Sequence, residues 1–161
     1  MEEFQEAREK AKKNIMIADH MLIMTYPLIK DPKLLLAVIE NISSALNNAM
    51  TSVLLYERLF KRVPVFQDTF DSKFNVFRQR IVDRYQINKE YLKLIQEVRE
   101  IISQHKKSPV EFARKDKFVI CSENYRIKTL GVPEMKTYIA KTKMFIEDIV
   151  RIVSKNDGIF K

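Results

Sequence analysis

Glycine is scarce in this chain, with two residues among 161, and cysteine occurs once. Glycine is the usual residue of tight hairpins and left-handed turns, so its scarcity argues against an all-β fold and a glycine-rich phosphate loop. The single Cys121 cannot form an internal disulfide, which suits a reducing compartment.

Long apolar runs are also missing. No charge-free stretch reaches the roughly eighteen strongly hydrophobic residues of a membrane span, and the N-terminal sequence MEEFQEAREK does not have the pattern of a signal peptide. We therefore expect a soluble, cytoplasmic protein with no membrane partner.

Several motifs of metal and hydrolase sites are absent as well. The chain has no paired-cysteine zinc spacing, no HExxH, no GxSxG and no Glu-x-x-His pair of the kind that builds di-iron bundles. We predict no metal ion and no cofactor, and this leaves open whether the protein is an enzyme.

The residues that are present indicate one folded domain over residues 1–161, because 46% of them are hydrophobic and ten are Phe. Apolar residues recur three and four positions apart, as in amphipathic helices. We predict an all-α, up-and-down bundle of about five helices, with a short irregular or hairpin insertion before the last helix. The predicted helices cover residues 2–25, 32–60, 66–85, 88–105 and 133–153.

The second predicted helix carries no charged residue from Asn41 to Tyr56. A helix that is uncharged all round is usually central in a bundle or lies at an oligomer interface. From this run we predict a homodimer, with this helix as the candidate interface. Ser44, Asn47 and Asn48 are either a functional polar seam or ordinary hydrogen-bonded side chains.

The third predicted helix carries an aromatic stripe with basic residues roughly opposite. Aromatic and basic residues together can indicate base stacking. The helical period, however, puts the rings on one face, which favours packing in the core and leaves only the basic face for contacts. The stripe comprises Phe66, Phe70, Phe74, Phe77, Ile81 and Tyr85.

The insertion follows the fourth predicted helix. The segment SPVE, Ser108 to Glu111, has the pattern of a capping box with proline at the first helical position, so we predict a short helical turn. Val, Ile, Phe, Tyr and Thr then cluster on either side of a polar SEN segment, which predicts at most one hairpin, within Lys117–Leu130.

The net charge of +8 is concentrated in two stretches, residues 58–84 and 103–143. Such local positive potential favours a polyanionic partner, and nucleic acid before membrane. We take RNA as the candidate partner of the second stretch. The predicted nucleic-acid-binding residues are Lys106, Lys107, Arg114, Lys115, Lys117, Arg126 and Lys128.

Arg99 and His105 stand six positions apart at the end of the fourth helix. This spacing resembles the R-x4-6-H signature of the HEPN families (higher eukaryotes and prokaryotes nucleotide-binding domains), and the segment NISSALNNAMTSVL is similar in style to a HEPN core helix. The resemblance implies an all-α domain, and many HEPN proteins are metal-independent ribonucleases that act as dimers.

On this resemblance His105 would help to activate the RNA 2′-hydroxyl and Arg99 would steady the scissile phosphate. It also implies a nucleotidyltransferase or an antitoxin as partner protein. Two alternatives stay open. In the first, His105 only closes an apolar stripe near the end of a helix, where a protonated histidine is favourable. In the second, the whole chain is a non-catalytic module for protein interaction and dimerisation.

Overall fold

The computed structural model describes residues 1–156, which fold into five helices and a small sheet. Helix α1 comprises an α-helical segment Glu3–His20, a π-helical turn Met21–Thr25 and an α-helical end Tyr26–Ile29. Helix α2 is Leu34–Leu59, and helix α3 joins Phe70–Val76, the π-helical turn Phe77–Ile81 and Val82–Arg84. Helix α4 is Glu90–Lys107 and helix α5 is Val132–Val153. The strands are β1 Val110–Arg114, β2 Lys117–Cys121 and β3 Ile127–Leu130.

The prediction of a mostly helical fold with five helices is confirmed, although α1 continues past its predicted end at Thr25 to Ile29. Pro27 lies in the first turn of the terminal segment, directly after the π-helical turn. A proline inside a helix removes one hydrogen bond and crowds the carbonyl four residues back. A wider π-helical turn at this point relieves that crowding, so the helix continues through the proline.

Helix α2 is the centre of the bundle, because it packs against each of the other four helices and against β2. Within Asn41–Tyr56 only Ser44 is exposed. The charge-free run is therefore explained by burial inside one chain, and it no longer indicates a dimer interface. Asn48 has an ordinary partner, since its amide donates to Asn14 Oδ1 at 2.8 Å.

The centre of the aromatic stripe packs in the core, as predicted, but the helix begins at Phe70, so its predicted start at the partly buried Phe66 is wrong. Phe74, Phe77 and Ile81 are all buried. The Phe77 ring meets the Phe145 ring of α5 edge to face, with centroids 5.9 Å apart. The rings of Phe74 and Phe77 are thus unavailable for stacking on bases.

The insertion is a three-stranded antiparallel sheet in the order β1-β2-β3, so the all-α description is wrong in this region. The hairpin within Lys117–Leu130 is present as β2–β3, but a second hairpin, β1–β2, precedes it. The predicted helical turn at Ser108 to Glu111 is also wrong. The Ser108 hydroxyl lies 2.8 Å from the Val110 carbonyl and 2.6 Å from the Cys121 carbonyl, which ties this segment to β2 instead of capping a helix.

One hydrophobic cluster joins all five helices to β2 and β3. Phe118, Ile120 and Leu130 face it from the sheet and are buried. Within residues 1–156, no helix combines the length and apolar character that a membrane crossing would require.

Candidate functional site

Helix α4 carries both residues of the R-x5-H pair, and its buried side packs on the core through Leu94, Val98 and Ile101. Six positions at the helical period place Arg99 and His105 about 120° apart around the axis. The two side chains have different partners as a result. Arg99 lies towards α3, whereas His105 lies towards β1. The structure gives them no contact in common among residues 1–156.

The imidazole of His105 is held by a carboxylate. Its Nδ1 lies 2.6 Å from Glu111 Oε2, and the two side chains are 29% and 22% exposed. A histidine that donates from Nδ1 to a carboxylate keeps Nε2 as the free acceptor, which is the orientation a general base requires. The sequence pattern predicted Glu111 as part of a helix cap. Its position on a strand could have been indicated only by the alternation of apolar and charged side chains at Val110, Glu111 and Phe112.

Arg99 lies with its guanidinium carbon 4.8 Å from the centre of the Phe70 ring. It lines a cleft of about 300 Å³ between α2, α4 and the start of α3. His105 is not among the residues that line this cleft. The lining residues are Ser43, Ser44, Leu46, Asn47, Asp68, Thr69, Phe70, Lys73, Ile95, Val98 and Arg99.

A second cation, the buried Lys73, lines the same cleft. The Lys73 side chain is 9% exposed, and its Nζ lies 2.5 Å from a carboxylate oxygen of the exposed Asp68. The hydrogen bond from Lys73, and then its charge, lower the pKa of Asp68, so this carboxylate is ionised at neutral pH. Ser44 and Asn47, the candidate polar seam of the sequence, lie on the opposite wall.

The seven predicted nucleic-acid-binding residues are spread around the sheet. Directly paired residues of neighbouring strands point to the same side. Arg114 and Lys117 are such a pair and lie on the outer side of the sheet. Lys128 pairs with the buried Ile120 and therefore lies on the core side, where it is half-buried.

The other four predicted cations lie around this sheet. Lys106 and Lys107 end α4, Lys115 occupies the β1–β2 turn with φ 58°, and Arg126 precedes β3. Lys107 and Arg126 also line a small polar groove of about 300 Å³ beside the turn before β3. Among residues 1–156, none of the seven cations has a carboxylate within ion-pair distance.

Two exposed aromatic rings accompany these charges, and neither was among the residues predicted from the sequence. Phe112 is 42% exposed and lies on the outer side of the sheet between Val110 and Arg114. Tyr125 is 93% exposed in the turn between β2 and β3. We call the outer side of the sheet with its two turns the sheet surface, carrying Phe112, Arg114, Lys115, Lys117, Tyr125 and Arg126. Phe112 was missed because it directly follows the helical turn predicted at Ser108 to Glu111, and that turn does not indicate a strand.

Among the described residues, no group of three or more His, Cys, Asp or Glu side chains is placed to hold a metal ion. Comparisons with protein-family models, with curated proteins and with solved structures find no match to this chain.

Proposed function

We propose that this protein binds single-stranded RNA through the sheet surface. The observation that supports this is the combination of exposed rings, Phe112 and Tyr125, with cations that have no carboxylate partner. Aromatic side chains stack on unpaired bases, and Lys and Arg side chains contact phosphates. A surface with both kinds of residue suits an extended strand.

The experiment measures binding of a fluorescent single-stranded RNA by anisotropy across a series of salt concentrations. Each phosphate contact contributes about 0.7 to the slope of log affinity against log salt for single strands. Replacing Arg114, Lys115, Lys117 and Arg126 of the sheet surface with Ser should weaken binding and lower the slope by as much as about 3.

The matched control is a quadruple variant with the same loss of net charge elsewhere. Lys10, Lys13, Lys33 and Lys89 are exposed and lie outside the sheet surface. Their replacement with Ser should leave most of the affinity intact. Equal losses in both variants would mean that only net charge matters, and unchanged binding in the first variant would remove the proposal.

The contribution of stacking is tested separately. Phe112→Ala and Tyr125→Ala should each weaken binding without changing the salt slope, because neither side chain contacts a phosphate. Stacking of one base on an aromatic ring is worth about 1–3 kcal/mol. A slope that changes with these variants would contradict the assigned roles.

Ribonuclease activity is the second candidate function, in keeping with the HEPN-like spacing. The observation that favours it is the contact between His105 and Glu111, which orients the imidazole as a base. His105→Ala should abolish cleavage of single-stranded RNA in the presence of EDTA while RNA binding persists. Glu111→Gln should reduce the rate less severely, since it keeps the imidazole and alters only its orientation.

RNA cleavage by the wild type separates this candidate from the structural alternative, because His105→Ala removes the contact with Glu111 in either case. If His105 only links α4 to β1, the variant should lose about 1 kcal/mol of stability and no activity. A clear fall in melting temperature, with no RNA cleavage by either form, would leave a non-catalytic binding or interaction module.

A homodimer is a further part of the proposal, as is the nucleotidyltransferase or antitoxin partner that the resemblance implies. Because α2 is buried, we place the dimer contact on the outer side of α1, where Met24 is 57% and Leu28 is 86% exposed. Light scattering at tens of micromolar should give twice the mass of the chain, and Met24→Lys with Leu28→Lys should restore the monomer. A monomeric wild-type protein would contradict this part.

A further inference from the structure

The cleft beside Arg99 presents several groups that can donate hydrogen bonds. Ser43, Ser44 and Asn47 line it from α2, at positions that share one side of that helix. None of these three side chains makes a hydrogen bond within residues 1–156. Their hydroxyl and amide groups are therefore available to a ligand.

The charges of the cleft leave one positive charge in excess. Arg99 and Lys73 supply two cations, and Asp68 supplies one carboxylate that Lys73 already engages. Arg99 has no carboxylate partner among the described residues, and the Phe70 ring covers one face of its guanidinium. A guanidinium stacked on a ring still has its in-plane N–H groups free to form a fork with an oxyanion.

From these features we propose that the cleft binds a small phosphomonoester, with Arg99 and Lys73 on the phosphate and Ser43, Ser44 and Asn47 as further donors. Tetrahedral oxyanions with several acceptor oxygens match a site that has several donors and an arginine fork. The volume of about 300 Å³ is at the lower end of ligand pockets and is suited to a mononucleotide or a sugar phosphate. This inference does not depend on RNA binding at the sheet surface.

The experiment uses the full chain and isothermal titration calorimetry with two probes, inorganic phosphate and adenosine monophosphate. Binding of both probes would mean that the phosphate group alone is recognised. Tighter binding of adenosine monophosphate would mean that the organic part also contributes. Either result supports the site, whereas no binding of either probe at millimolar concentration overturns it.

The variants locate the binding. Arg99→Met should weaken binding by about ten- to a hundredfold, because it removes charge-assisted hydrogen bonds. Arg99 is exposed, so the variant should fold normally. A second variant, Ser43→Ala with Ser44→Ala, should weaken binding less and preserves every charge.

The control is Arg114→Met with Lys117→Met on the sheet surface, which should leave affinity for both probes unchanged. Unchanged affinity in Arg99→Met, or equal losses in the sheet control, would overturn the inference. RNA binding should respond in the opposite way, being weakened in the sheet variant and kept in Arg99→Met. The failure of one proposal can thus be told from the failure of the other.

Discussion

From the buried carboxylate of Glu57 we predict that replacing its two arginine partners together costs more stability than the sum of the two single replacements. Glu57 lies near the end of α2 and its side chain is 0% exposed. Arg62 Nε is 3.2 Å from one of its oxygens, and Arg84 Nε is 3.8 Å from the other. Arg62 belongs to the segment after α2, and Arg84 ends α3. Two separate segments thus each bring a guanidinium group to the same buried charge.

The expected magnitudes follow from burial. The arginine side chains are 34% and 41% exposed, so solvent screens each ion pair. Arg62→Met or Arg84→Met alone should therefore cost only about 1 kcal/mol, since the other guanidinium remains. Removing both leaves an uncompensated buried carboxylate, which costs about 3–5 kcal/mol. The double variant should thus lose more than the sum of the two single variants.

The assay is urea unfolding monitored by circular dichroism. Midpoints are compared between variants for which the unfolding free energy depends on urea concentration with the same slope. Arg80→Met is the control, because Arg80 is an exposed arginine of the same helix with no ion pair among the described residues. It should change stability by less than about 0.5 kcal/mol.

A triple variant distinguishes charge from packing. Adding Glu57→Leu to the Arg62 and Arg84 replacements removes the buried charge and should recover most of the lost stability. Additive losses in the double variant, within about 0.5 kcal/mol, would refute the reasoning. A triple variant as unstable as the double variant would also refute it, because the loss would then be one of packing.

Two further predictions concern tyrosine ionisation and the core. Burial, and then the neighbouring Glu57 carboxylate, raise the pKa of Tyr85 above its ordinary 10.0. The neutral hydroxyl therefore contributes its full stability below pH 10.0, and this contribution is lost as the pH rises further. Urea midpoints of Tyr85→Phe should therefore fall less steeply with alkaline pH than those of the wild type, whereas the exposed control Tyr125→Phe should follow the wild type. Phe145→Ala should cost about 3–5 kcal/mol, because its fully buried ring packs against the rings of Phe77 and Tyr91. The neighbouring Met144→Ala, at a side chain 58% exposed, should cost less than about 0.5 kcal/mol in the same urea assay.

Helices are well predicted in this chain because their signal is local. The recurrence of apolar residues depends only on neighbours three and four positions away, and each long periodic segment is a helix in the structure. The sequence also indicated that α2 was either central or at an interface, and only its packing against every other helix decided between the two.

The errors arise where tertiary contacts override a local pattern. The residues after Ser108 have the sequence pattern of a helix cap. Pairing with β2, however, gives the backbone of Val110–Arg114 more hydrogen bonds than a single helical turn could provide. Ser108 and Cys121 are thirteen positions apart, which is farther than any capping rule considers, so the sequence predicted a helical turn where a strand lies.

For the candidate residues, the order of amino acids is enough to show which side chains carry charge and which helix carries Arg99 and His105. Tertiary structure alone decided their neighbours. Arg99 meets Phe70 across 29 positions of the chain and shares a cleft with Ser43 and Ser44, while His105 meets Glu111 on a strand. Spacing along a helix sets only the angle between two side chains. Their partners depend on how the other elements pack, which is fixed by burial of the whole core and by no single segment.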